Sequence, residues 1–234
     1  MNILGVKIDN LNRDEIIEKI NSFLNDGKFH QIATIGPEFI LEAQKNEEYK
    51  NILNDCSLNI ADGFGIKYAF WRYGRKLKTR FTGIDLMQEI LKIAESGGLS
   101  VFLACRKDGL SSFQETKTAL LKVFPNLLIN GDDIDINNSY KLQATSYKLI
   151  FCNFGAPHQE IFLNSFKNDI IGVAIGVGGS FDFITGKVKR APRFLRKIGL
   201  EWLWRLIQQP NRWKRIWNAV IVFPCKILWN RKEK

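Results

Sequence analysis

The sequence predicts an α/β fold: a parallel sheet with helices on both faces, followed by a C-terminal helical appendage. Three observations lead there. Apolar runs of strand length alternate with segments of helical periodicity from the first third of the chain to about residue 180. Several of those runs, "LSVFLAC" and "DIIGVAIGVGG" among them, are almost continuously apolar, as strands buried on both faces are. Beyond about residue 192 the strand signal stops and only helical periodicity remains. The reading divides the chain into an α/β core at 1–191 and a basic amphipathic appendage at 192–234.

Each element has a local reason. Asn12 and Glu15 have the spacing of a capping box, and Ile16, Ile17, Ile20, Phe23 and Leu24 follow as a helical stripe. "HQIATI" reads as a strand and "PEFILEAQKN" as a helix with Pro37 in its first turn. "SLNIADG" is a strand ending in a turn, and "FGIKYAFWRYG" a helix closed by Gly74. "DLMQEILKIAESGG" and "LSSFQETKTALLKVFP" are helices around the strand "LSVFLAC". "NLLING", "YKLIFCNFG" and "DIIGVAIGVGG" are strands, with "PHQEIFLNSF" helical between the last two. In the appendage, "RFLRKIGLEWLWRLIQQ" and "PNRWKRIWNAVIVF" are helical segments parted at Pro210. Trp213, Ile216, Trp217, Val220 and Ile221 share one face of the second, with Arg212 and Arg215 on another; Pro224 is expected to end it.

Composition narrows the function. The chain has 234 residues, 45% hydrophobic and 25% charged, enough for a substantial core. Its first residues lack the basic-then-apolar order of a signal peptide, and no apolar run reaches the ~18 residues of a membrane span. Cys56, Cys105, Cys152 and Cys225 are widely spaced, and only His30 and His158 could join them. That pattern fits reduced, buried thiols better than a metal site. The formal charge of +10 is concentrated: residues 186–234 carry 14 Lys and Arg against Glu201 and Glu233. Such a tail asks for an anionic partner, whether nucleic acid, a membrane surface or a phosphorylated substrate.

In open parallel sheets, ligands bind beyond the carboxyl ends of the strands. Four predicted strand ends carry small or polar groups: Thr34 to Glu38, Asp62-Gly63, Gly155 to Glu160, and Gly176 to Ser180. Asp62, following an apolar strand, is placed to act as a general base, with helix capping as its competing role. Asp85 and Asp182 are weaker candidates for the base, since each could simply cap a helix. Gly176, Gly178 and Gly179 could offer backbone N–H groups to a phosphate, although no Walker lysine follows. "GDDIDIN" at 131–137 has acid-x-acid pairs that could hold a metal bridging a diphosphate, but it fits a solvated turn better.

Six motifs carry a resemblance that covers most of the chain: "ILGVKIDNL", "TIGPEFILEAQKN", "ADGFGIKYAFWRYG", "KTRFTGIDL", "NFGAPHQE" and "GVGGSFDFITGKVKRAPRFLRKIGLEWLWRLIQQPNRWKR". The sequence resembles the WecG/TagA/CpsF family, glycosyltransferase family 26. The resemblance implies a Rossmann-like core and inverting transfer of N-acetylmannosamine, or a related hexose or uronic acid, from a UDP donor. The implied acceptor is a polyprenyl-diphosphate-linked saccharide, in teichoic acid, capsule or exopolysaccharide synthesis. It further implies metal-independent chemistry without a cofactor, and a peripheral position on the cytoplasmic face of the membrane. By matching position, Asp62 corresponds to the family's catalytic base, Thr34 to a threonine beside the acceptor, and Arg80 to the arginine before G-x-D-L. Gln159 with Gly155 belongs to the G-x-P-x-Q-E turn, and Arg205, Arg212 and Arg215 match arginines that meet phosphates. This chain departs from the pattern at Gly36, where the family usually has asparagine, at Ala104-Cys105-Arg106, where glycines are usual, and in a shorter segment at 126–140.

On this reading Asp62 takes the acceptor proton, and arginines with backbone donors stabilise the leaving diphosphate. The tail's tryptophans suit an anionic membrane interface. The reading excludes nucleic acid as a partner and leaves homo-oligomerisation open. The rivals are a basic nucleic-acid-binding protein, which explains the charge but not the acid and glycine turns at one rim, and a sugar-nucleotide-binding module inactivated at Gly36.

Overall fold

The structure, a computed structural model, describes residues 1–138, 147–168 and 172–230. Residues 169–171 of the last predicted strand and the terminal charges at 231–234 lie outside the described residues. The chain opens on a short antiparallel hairpin of β1 (Asn2–Ile3) and β2 (Val6–Lys7). Its turn residues Leu4 and Gly5 both have positive φ, 51° and 82°. Leucine is not the usual signal for such a turn, and the sequence reading did not anticipate the hairpin. Then follow α1 (Arg13–Asn25), β3 (Phe29–Ile35), α2 (Pro37–Ala43), α3 (Glu47–Asp55), β4 (Leu58–Ala61), α4 (Gly63–Arg72) and α5 (Gly83–Ser96). Next come β5 (Ser100–Arg106), α6 (Phe113–Leu121), β6 (Leu128–Ile134), β7 (Leu149–Cys152), α7 (His158–Asn164), β8 (Gly172–Gly176) and α8 (Ser180–Ile184). The capping box at Asn12 and Glu15 is formed on both sides. Helix α3 was not predicted, although Asn46 caps it by accepting from Tyr49 N, and Tyr49, Ile52 and Leu53 form its buried stripe.

The six long strands form one parallel sheet in the order β4-β3-β8-β7-β5-β6. Neighbouring residues on each strand face opposite sides. Ile32, Ile60, Leu103, Phe151 and Ile175 pack with α1, α5 and α8, whereas Ala33, Ile35 and Ala61 pack with α2, α3 and α4. Phe102, Ile150 and Ala174 complete the second face beside Leu163 and Phe166. The near-continuous apolar runs are therefore strands with core on both sides. The stretch read as a solvated turn at 131–137 is corrected in part: Gly131–Ile134 extends edge strand β6 alongside β5. Paired backbone there outweighs the turn preference of Asp132 and Asp133. Cys56, Cys105 and Cys152 are buried and reduced, but Cys225 is exposed, against the expectation that all four are buried. It lies on the outward side of a helix whose inward positions are Phe223 and Ile227.

The C-terminal stretch comprises α9 (Arg193–Ile198), α10 (Glu201–Gln208), a 3₁₀ turn (Pro210–Arg212), α11 (Trp213–Trp217), a π-helical turn (Asn218–Val222) and α12 (Phe223–Trp229). The predicted first segment breaks at Gly199, whose φ is 82°. Pro224 does not end the helix. It occupies the first turn of α12, where its missing N–H is tolerated because the π turn has already shifted the bonding register. Phe223 and Ile227 are fully buried, in the same cluster as Phe39 and Phe70. Gly65 on α4 makes that junction close, since a Cβ there would meet Pro37 Cγ at 2.5 Å and Phe223 Cδ1 at 3.3 Å.

Candidate active site

A cavity of about 420 Å³ opens where β3, β4, β7 and β8 end and the C-terminal helices return over the sheet. Thr34, Asp62, Arg80, Gly155, Gln159, Gly178, Gly179, Arg205, Arg212 and Arg215, all singled out in the sequence, line it. Gly176 lies just beneath: its carbonyl accepts from Thr34 Oγ1 at 3.4 Å, across the β3–β8 boundary. A second cavity of about 750 Å³ adjoins the first through Gly155, Gly178, Gly179, Arg212 and Arg215. Its own wall adds Arg106, Asn153 and Lys187.

Asp62 follows the last residue of β4 and stands at the N-cap position of α4, but its side chain makes no capping bond. The carboxylate is left for the cavity. Burial pushes its pKa up to about 7, against the pull of Arg80, and Glu38 adds to the rise. A carboxylate poised near neutral pH is suited to taking a proton and giving it up again. Asp85 and Asp182 are engaged elsewhere. Asp85 accepts from Thr82 Oγ1 at 2.6 Å and from Arg190 Nη2 at 2.6 Å. Asp182 accepts from Ser111 Oγ at 2.9 Å.

The arginines form a charge cluster. Arg215 is held by Glu38, donating from Nη2 at 2.7 Å and from Nε at 3.2 Å. Arg80, Arg205 and Arg212 form no ion pair among the described residues. The Arg205 guanidinium lies over the Phe183 ring at 5.0 Å and against Gly179, where any Cβ would collide with its Nη2. Its buried Nε has no hydrogen-bond partner. Burial, together with Arg205 and Arg215, pushes the Arg212 pKa down to about 10. Such crowding is costly in the unliganded protein and is relieved by an anion. Glu38 falls in the predicted strand-end group, but its pairing with Arg215 was not anticipated, because that partner lies 177 positions away. Gly36 bears on the same pair: a Cβ there would come within 2.9 Å of Glu38 Oε2.

Gln159 is spent on the scaffold. Its Oε1 accepts from Gly155 N at 3.1 Å and Gly178 N at 3.0 Å, tying the β7 and β8 turns together. Its Nε2 donates to Glu160, which also accepts from Tyr49 at 3.1 Å. Burial pushes Glu160 up to about 7, opposed by these two bonds. Gln159→Ala strands two loop N–H groups and half of the Glu160 carboxylate. The expected cost is about 2–4 kcal/mol, a fall in Tm on the order of 5–15 °C, read by thermal unfolding.

Among the described residues no group of three His, Cys, Asp or Glu is arranged to hold a metal ion. In the 131–137 stretch, Asp133 accepts from Phe113 N at 2.7 Å and Asp135 from Asn137 N at 3.0 Å, so these acids serve local backbone.

Against known proteins, the model of the "Glycosyl transferase WecG/TagA/CpsF family" matches residues 1–234. The chain belongs to this family. The glycosyltransferase is 31% identical over 234 residues to a Bacillus subtilis (strain 168) protein, covering 97% of this chain and 87% of the relative. It is 32% identical over 239 residues to a Staphylococcus aureus (strain MW2) protein, covering 97% and 91%. Both relatives are named N-acetylglucosaminyldiphosphoundecaprenol N-acetyl-beta-D-mannosaminyltransferase. The glycosyltransferase has no helix, among the described residues, long and apolar enough to cross a membrane.

Proposed function

We propose that this glycosyltransferase moves N-acetylmannosamine, or a closely related sugar, from a UDP donor to a polyprenyl-diphosphate-linked N-acetylglucosamine in cell-surface polysaccharide synthesis. The observation that carries the reading is the meeting of one proton-accepting carboxylate with an undercompensated arginine cluster in a single cavity. Asp62 takes the proton from the acceptor hydroxyl, whose oxygen attacks the anomeric carbon as the C–O bond to the diphosphate breaks. Charge gathering on that diphosphate is met by Arg205, Arg212 and the backbone N–H of Gly179, the Gly178 N–H being held by Gln159. Two further carboxylates line the cavity, Glu38, which Arg215 holds, and Glu201; with Asp62 as base and neither of these as nucleophile, transfer proceeds with inversion. The nucleoside fits the second cavity, which meets the first at the shared glycines and arginines. Arg80 and Thr34 orient the acceptor, and Gln159 acts by holding the two turns. The relatives' names supply the sugars and the lipid; the charge and geometry here supply reasons for a diphosphate. The protein works on the cytoplasmic face of the membrane, where Trp213, Trp217 and Trp229 are exposed beside the basic tail.

The test is a screen of UDP-sugars against a polyprenyl-diphosphate-linked N-acetylglucosamine, with product mass measured. UDP-N-acetylmannosamine is expected to give one added N-acetylhexosamine; no product with any UDP-sugar removes the reading. A chelator arm tests the charge argument. Transfer is expected to survive EDTA, because arginines supply the positive charge, whereas strict dependence on Mg²⁺ or Mn²⁺ would contradict it.

A further inference from the structure

The cavity that holds Asp62 has a second, apolar character. Besides the arginines, its lining includes Phe64 and Tyr68 from α4 and Ile216, Ala219, Val220 and Pro224 from the C-terminal helices. These two groups belong to elements packed together, since α4 and α12 meet at Gly65 and Phe223. The apolar lining continues outward on both helices. Along α4, Tyr68 leads to Trp71, its ring 5.9 Å away and the residue 71% exposed. Along α12, Leu228 is four residues beyond Pro224, on the same stripe, and with Trp229 it lies in solvent. The segment that carries this rim is rich in cations, of which Lys78 is paired with Glu15 at 3.2 Å. From Gly63 to Ile84 the chain carries Lys67, Arg72, Arg75, Lys76, Lys78 and Arg80 and no acid; α12 adds Lys226. Core helix α4 thus repeats the pairing of exposed tryptophan with cations that marks the tail.

Resting on the proposed acceptor, we infer that the seam between α4 and the π turn with α12, lined by Phe64, Tyr68, Ala219, Val220 and Pro224, receives the first isoprene units of the lipid. The chain leaves the arginine cluster along this seam and emerges at Trp71 and Trp229. The occupant is a prenyl chain because an anionic diphosphate and an apolar tail must be satisfied within one cavity, and the arginines and the seam adjoin in that order. The π turn sets Ala219 and Val220 on the cavity side. Helix α4 then faces the bilayer together with the tail.

Binding tests this without requiring transfer. The full chain is titrated with farnesyl diphosphate and, separately, with inorganic diphosphate. The wild type is expected to bind the prenyl ligand at least ~10-fold more tightly, a factor that burial of about two methylene groups already supplies. Ala219→Trp, which fills the seam, and Val220→Asn, which makes it polar, are expected to shrink that preference to less than about 3-fold. Inorganic diphosphate binding should hold in both variants and reports that they are folded. Equal binding of the two ligands by the wild type, or variants that weaken both alike, overturns the seam. A protein that transfers sugar but shows no prenyl preference keeps the functional reading and loses the seam. One that prefers farnesyl diphosphate but transfers no sugar loses the functional reading alone.

Discussion

Asp62→Asn is expected to lower turnover by roughly 10²–10⁴-fold with the fold intact, since the amide is nearly isosteric and cannot accept the proton. The pH profile makes the test specific. Burial holds the Asp62 carboxyl at about 7, above its ordinary value of 3.8. Activity of the free enzyme, kcat/KM, should therefore rise with pH through about 7 and level off above it, and the Asn variant should lack this limb. Stability moves the opposite way. A carboxyl whose pKa is raised by folding favours the fold most below about 4, and that contribution is lost as pH rises through about 7. At pH 8 the Asn variant should melt higher than the wild type, by on the order of 2–4 °C for each kcal/mol recovered. A variant that turns over normally in a chemistry-limited assay removes Asp62 from the role of base.

Arg205→Ala and Arg212→Ala are each expected to reduce kcat/KM by about 10²–10³-fold, the scale seen when a preorganised donor to developing charge is removed. The assay should use a soluble, short-chain acceptor, so that membrane attachment does not enter the readout. Arg→Lys at either position keeps the charge and loses the fork, and should recover only part of the rate. Normal transfer by both alanine variants would reduce the C-terminal stretch to a tether. Truncation after Gly199 is a poorer test, because it also removes Phe223 and Ile227 from the core and uncovers Phe39 and Phe70. Arg215 should be milder than its neighbours, since Glu38 already neutralises it.

Most of the α/β order was legible because parallel strands and their crossover helices are written in local pattern. "LSVFLAC" and "PHQEIFLNSF" fall on β5 and α7 with small shifts at their ends. What escaped was pattern overridden by packing. The opening hairpin turns at Leu4-Gly5, which carries no strong turn signal, and β6 runs on through Gly131 and Asp132 because β5 offers it a ladder. Pro224 reads as a helix stop, yet the π turn before it lets the chain continue and bury Phe223.

The sequence by itself determined the strand ends where Thr34, Asp62, Gly155 and Gly178 gather, because a residue's place at a strand's carboxyl end follows from local periodicity. It also placed the cationic excess, with Arg205 and Arg215, on helices. Only the tertiary structure decided what those side chains face. It freed Asp62 from its cap, spent Gln159 on two loop N–H groups, and paired Arg215 with Glu38 across 177 residues, while Arg205 and Arg212 form no ion pair among the described residues. It also brought α12 against α4, so that arginines and an apolar seam share one cavity. The physical reason is range: periodicity reports on the next turn or strand, whereas charge pairing, desolvation and cavity shape depend on groups far apart in the chain, which only folding brings together.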